Sequence, residues 1–181
     1  MRPTPTAPPT ASSRVTDEPS GAAHRRVHIP IHLRWGDLDA YNHVNNTAML
    51  KLLEEARVRA FWLPGDGEDA PPTAVLPASV DDGGPMTLIA RQEIEYLLPV
   101  PYQRNPLDVQ LWFGTVGGSS VEVCYEVFSP ATGGEQKLYA KSSAVIVLVD
   151  PVSGRPVRLP ETLRAAWEPY AGPSISYAHR R

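Results

Sequence analysis

One cysteine in 181 residues, Cys124, leaves the chain without an internal disulfide and without a multi-cysteine zinc site. A reducing, cytoplasmic setting fits that count. No apolar run approaches the length of a membrane span. Positive charge is not in excess either. Lys and Arg number 17 against 20 Asp and Glu, a net charge of −3 that offers no basic field for nucleic acid or anionic lipid. The five histidines show no metal-ligand spacing. Cys124 alternates with valines and reads as packing. No Gly-x-Ser-x-Gly elbow exists, so Ser119-Ser120 beside Gly118 reads as a turn.

Proline is abundant, with 20 residues, but it gathers at the start and in loops. "MRPTPTAPPTASSRVTDEPSGAAHRR" has no apolar core of a secretory signal, and Asp17, Glu18 and the prolines oppose an amphipathic transit helix. The expectation for residues 1–25 is a disordered tail. A chain of this length is otherwise one domain, placed at residues 26–170, with a short C-terminal tail over 171–181.

From Arg26 the pattern changes. Val27, Ile29, Ile31, Leu33 and Trp35 alternate with polar positions, the period of a half-buried strand. Pro30 cannot donate to a ladder, which puts this strand at an edge. Residues 46–63, "NTAMLKLLEEARVRAFWL", set Met49, Leu52, Leu53, Ala56, Ala60 and Leu63 on one face, with Leu50, Phe61 and Trp62 widening the arc. That predicts a long helix largely enclosed by other structure and stopped by Pro64-Gly65. Residues 64–85 read as a long loop with a short strand near 73–76, of a length often used as a functional flap. Four strands follow: one to Leu98, two joined at Gly117-Gly118, and "KLYAKSSAVIVLV". A short helix from about Pro160 to Trp167 closes the order. The fold class is therefore α+β, an antiparallel sheet of about five strands beside one long helix.

Between the first strand and that helix lies "RWGDLDAYNHVNN". Two carboxylates, a histidine and three asparagines share its thirteen positions. A helix start carries N–H groups without intrahelical partners and the positive end of the dipole. Donors near residues 44–47 suit a developing oxyanion, and Asp39, just upstream, can serve as base or nucleophile against a carbonyl held there. Asn42 stands where a glycine would ease a left-handed turn, and asparagine tolerates that conformation better than most residues. Asp37 reads as structural. Asn45 and Asn46 are the natural N-caps. His43 has three readings: general acid, a group orienting Asp39, or a buried hydrogen-bonding histidine.

"WGDLDAYNHVNN" followed by "LKLLEEAR" resembles the signature of hotdog-fold acyl thioesterases of the 4-hydroxybenzoyl-CoA thioesterase type, and of the bacterial short-chain acyl-CoA thioesterases related to them. The order of elements agrees over about residues 26–168. The resemblance implies a hotdog fold, its sheet wrapped around one long central helix. It also implies Asp39 as the catalytic carboxylate and a backbone N–H near Asn46 as oxyanion donor. A homodimer or homotetramer with its site between subunits is implied as well, and no metal or cofactor beyond the CoA thioester substrate. The acyl chain would lie near Met49 and Leu53, and Arg91, Arg104 or Lys141 would meet the CoA phosphates. Plant acyl-ACP thioesterases carry an asparagine where this chain has Tyr41, a departure that favours the acyl-CoA branch. The alternatives are an acyl-ACP thioesterase and a non-catalytic acyl-CoA-binding hotdog module.

Overall fold

The computed structural model describes residues 24–65, 69–77, 84–132 and 134–178. Most of the expected N-terminal tail, the last three residues and parts of the loop over 64–85 lie outside the described residues.

Five strands form one antiparallel sheet: β1 (Val27–Ile31), β2 (Met86–Tyr96), β3 (Leu107–Val116), β4 (Ser120–Phe128) and β5 (Leu138–Val149), in the order β1-β3-β4-β5-β2. Strand β1 is an edge, so Pro30, opposite Asp108, interrupts no ladder on its open side. The other edge is β2, paired only with β5 and bulged between Ile89 and Arg91. Gly117 closes the β3–β4 turn by donating to the Ser120 carbonyl at 2.8 Å. Only single bridges occur around the expected short strand near 73–76, where Leu76 meets Trp62.

The helix α1 (Asn46–Phe61) has 16 residues, and the second helix, α2 (Glu161–Trp167), has seven. The single long, enclosed helix expected over 46–63 is not found. After Phe61 the backbone turns extended at Trp62, and Leu63 N–H donates to the Leu76 carbonyl at 2.8 Å, so chain–chain pairing ends the helix before Pro64. Nor is α1 enclosed. Met49, Leu52, Leu53, Ala56, Ala60 and Phe61 are buried on one face, while Leu50 is 38% and Val58 45% exposed. Apolar spacing counts residues that can be covered; part of that apolar arc stays open here.

The core lies between α1 and the inner sheet face. Phe61, Phe113 and Trp167 stack within 4.9 to 5.5 Å of one another, and the Trp167 indole donates to the Thr73 carbonyl at 3.0 Å. Trp167 and Leu163, both buried in the core, hold the short helix α2 in place.

The other sheet face is crossed by residues 172–178. Gly172 N–H donates to the Phe113 carbonyl, the Trp112 indole to the Pro173 carbonyl, and the Tyr177 hydroxyl lies within hydrogen-bond distance of the Ser143 hydroxyl and the Glu93 carbonyl. The residues assigned above to a C-terminal tail thus cross β3, β4 and β5 and reach β2 at Ala178. Cys124 is fully buried beneath this strap, and burial pushes its thiol up to about 12, as expected of packing.

Candidate active site

Asp39 sits at the start of a tight reversal. Its N–H donates to the His43 carbonyl at 2.8 Å, and Asn42 N–H donates to the Asp39 carbonyl at 3.1 Å. Asn42 carries the turn with a φ of 60°, the one left-handed non-glycine residue among those described. The asparagine therefore keeps the conformation that a glycine would have supplied. Replacing it tests this directly. Asn42→Ala is expected to lower stability by about 1 kcal/mol and Asn42→Gly to leave it within about 0.5 kcal/mol, measured by denaturant unfolding.

The same turn orients the carboxylate. Oδ1 of Asp39 accepts from Tyr41 N–H at 2.8 Å and from His43 N–H at 3.1 Å. Among the described residues no donor reaches Oδ2, so one oxygen is anchored and the other is available. The side chain is half-buried, not buried. His43 thus positions Asp39 through its backbone, and no hydrogen bond joins its ring to that carboxylate among the described residues. Asp37 is structural: buried, with its carboxylate accepting Arg34 N–H at 2.7 Å and its carbonyl accepting Asn45 N–H at 2.8 Å.

Asn45, in extended conformation, caps α1 by accepting from Thr47 N–H at 2.9 Å. Asn46 is the first helical residue, and its side chain accepts from the same Thr47 N–H. Among the described residues nothing accepts from the Asn46 N–H itself. It is a helix N-terminal donor left open.

Asp39, His43, Val44, Asn45, Asn46 and Met49 line one side of a cleft of about 370 Å³, and Tyr96 to Val100 line the other. Its lining thus combines a carboxylate, an unused helix donor and an apolar wall. A larger groove of about 820 Å³ runs between β1 and α1, but of its two carboxylates Glu55 is held by Arg59 at 2.7 Å and Asp69 is exposed on the loop after the helix. The wall from Tyr96 to Val100 escaped the sequence reading, although the alternation of β2 puts Tyr96 on the same face as Ile94, which packs on the core. Of the residues expected to meet substrate, Met49 lines the cleft. Leu53 is fully buried in the protein core, and Arg91 pairs with Glu93 at 2.6 Å and is absent from the lining. Among the described residues no three His, Cys, Asp or Glu side chains gather as a metal would need.

A family model described as the thioesterase-like superfamily matches residues 33–167, most of the chain and the whole of this site. The chain belongs to that superfamily. Thioester hydrolysis is accordingly its reaction class. Solved structures agree. The PA2801 protein of Pseudomonas aeruginosa, an inferred thioesterase, is 30% identical, with 78% of this chain and 95% of that one covered at a TM-score of 0.58. A thioesterase of Thermus thermophilus, solved with coenzyme A and zinc, is 27% identical over 78% of this chain and 94% of its own, with a TM-score of 0.57. A thioesterase-like structure from Bacillus stearothermophilus, 20% identical, shares the fold over 83% of this chain and all of its own, at 0.63. No curated protein sequence matches the chain. Among its described residues this thioesterase has no helix long and apolar enough to cross a membrane.

Proposed function

We propose that this thioesterase hydrolyses acyl-CoA, with Asp39 as the reacting carboxylate and the Asn46 N–H as the oxyanion donor. One observation carries the reading: the free Asp39 Oδ2 and the unpartnered Asn46 N–H belong to residues lining the same cleft. The thioester oxygen would rest on the helix donor, where negative charge develops as the carbonyl carbon is attacked. The cleft serves either of two first steps. Oδ2 takes a proton from water, whose oxygen bonds to the carbonyl carbon. Otherwise Oδ2 itself bonds to that carbon, giving a mixed anhydride that water then cleaves. In both, the carbon–sulfur bond breaks and CoA leaves as thiolate.

Coenzyme A as the carrier is supported by the CoA complex of the Thermus thermophilus relative. The acyl chain would begin against Met49 and the Leu97–Val100 wall. A homodimer would pair β2 edges, since Leu88, Ile89 and Tyr96 on that free edge are exposed in one protomer. Such pairing would also cover part of the open cleft.

A thiol-release assay over a panel of aliphatic and aromatic acyl-CoA esters, with acyl-carrier-protein thioesters as a parallel arm, tests the proposal. Turnover of at least one CoA ester well above the carrier-protein arm is expected. Turnover confined to the carrier-protein arm would replace CoA by the carrier. Binding without turnover in either arm would make the site a non-catalytic module.

A further inference from the structure

The two walls of the cleft are built from different parts of the chain. The first turn of α1 is fastened to the loop that carries Asp39, since Asn45 N–H donates to the Asp37 carbonyl and Asn45 caps Thr47; just before it, Val44 N–H donates across to the Val100 carbonyl in the opposite wall at 2.9 Å. Tyr96, the last residue of β2, begins the opposite wall, and its strand runs alongside α1 in the reverse direction. Trp62, beyond the helix end, shares a small pocket with Met86 and Thr87 at the strand start, and Asn46 at the helix start meets Tyr96 at the strand end. Between these ends the helix packs on the inner sheet face, with Phe61 against Phe113 of β3 and Arg57 on the Tyr125 hydroxyl of β4. Only one hydrogen bond crosses from β2 to the helix start among the described residues: the Tyr96 hydroxyl donates to the Asn46 carbonyl at 3.0 Å.

That carbonyl belongs to the residue whose N–H is the open donor. We infer that Tyr96 is a positioning residue, its hydroxyl holding the first turn of α1 against β2 so that the Asn46 N–H stays aimed into the cleft. The inference rests on the thioesterase reading proposed above. Among the described residues no other hydrogen bond ties this turn to β2, since the side-chain caps of α1 come from its own first residues. Burial raises the phenol above its ordinary pKa and keeps it protonated as a donor. A donor displaced by a fraction of an ångström loses much of its effect on a transition state while still binding substrate.

Tyr96→Phe removes the hydroxyl and keeps the ring. The expected result is a fall in kcat of about tenfold with KM within about twofold, the signature of an interaction made in the transition state. Thermal stability should be unchanged within about 1 °C, because one exposed hydrogen bond is lost. Amide hydrogen exchange gives a readout that needs no substrate. The Thr47 N–H, on the same peptide unit as the Asn46 carbonyl, should exchange about fivefold faster in the variant. An unchanged kcat, or a rise in KM alone, would overturn the role. So would an unchanged Thr47 exchange rate, even if the wild type cleaves no acyl-CoA; in that last case the proposed substrate fails separately.

Discussion

Asp39→Asn is expected to cut turnover of the best acyl-CoA substrate by about a thousandfold, the scale on which positioned bases and nucleophiles contribute. The substitution separates chemistry from structure because of how the carboxylate is held. Oδ1 anchors the turn by accepting from the Tyr41 and His43 N–H groups, and an asparagine Oδ1 accepts equally well. The amide nitrogen then takes the position of Oδ2, which bonds to no described group. The loop, the Asn42 conformation and the thermal midpoint should all persist. KM should change little, because the acyl wall and the Asn46 donor are intact. Steady-state kinetics beside thermal unfolding decide the matter. Near-full turnover in a folded variant would remove Asp39 from the reaction. Loss of turnover together with a fall in the midpoint would instead show that the anchored oxygen was its whole role.

Strands β1, β3 and β4 were legible because they obey a period of two against a single core. "LDVQLWFGTV" is β3 residue for residue, and Pro30 announced the edge. The turn at Asp39 was legible for a different reason. Its residue types are those that hydrogen-bond their own backbone, and Asn42 has the left-handed tolerance that the turn requires. What the sequence could not carry was anything set by contact between distant segments. The end of α1 depends on Leu76 meeting Trp62, and no local signal before Pro64 marks it. Arg91 looked available for phosphate, and the structure pairs it with Glu93 on the same strand face, outside the cleft lining. The outer sheet face is crossed by residues 172–178, an irregular segment with no periodicity to betray a partner. The cleft has the same character. Asp39 and Asn46 lie close along the chain and could be paired from sequence, whereas Tyr96 comes from 50 residues away and is joined to Asn46 only by the fold.

The oxyanion donor can be deleted as a backbone group, because Asn46 is the first residue of its helix. Proline is favoured at that position, where the missing N–H breaks no helical bond. It also requires an extended preceding residue, and Asn45 already has φ −61° and ψ 143°. Asn46→Pro should therefore fold with α1 intact, keep the Asn45 cap on Thr47, and keep the carbonyl that Tyr96 meets. What disappears is the N–H and the side chain. Asn46→Ala separates those two, since it loses the side chain alone, and Thr47 N–H retains its bond to Asn45. The expected pair of results is a drop of about 10²–10³ in kcat for Asn46→Pro against a change within about threefold for Asn46→Ala. Circular dichroism and thermal midpoints near wild type in both would confirm that the helix survived. Equal losses would assign the effect to the amide side chain. An active Asn46→Pro enzyme would place the oxyanion on another donor altogether, and the carboxylate of Asp39 would then face a carbonyl held in some other way.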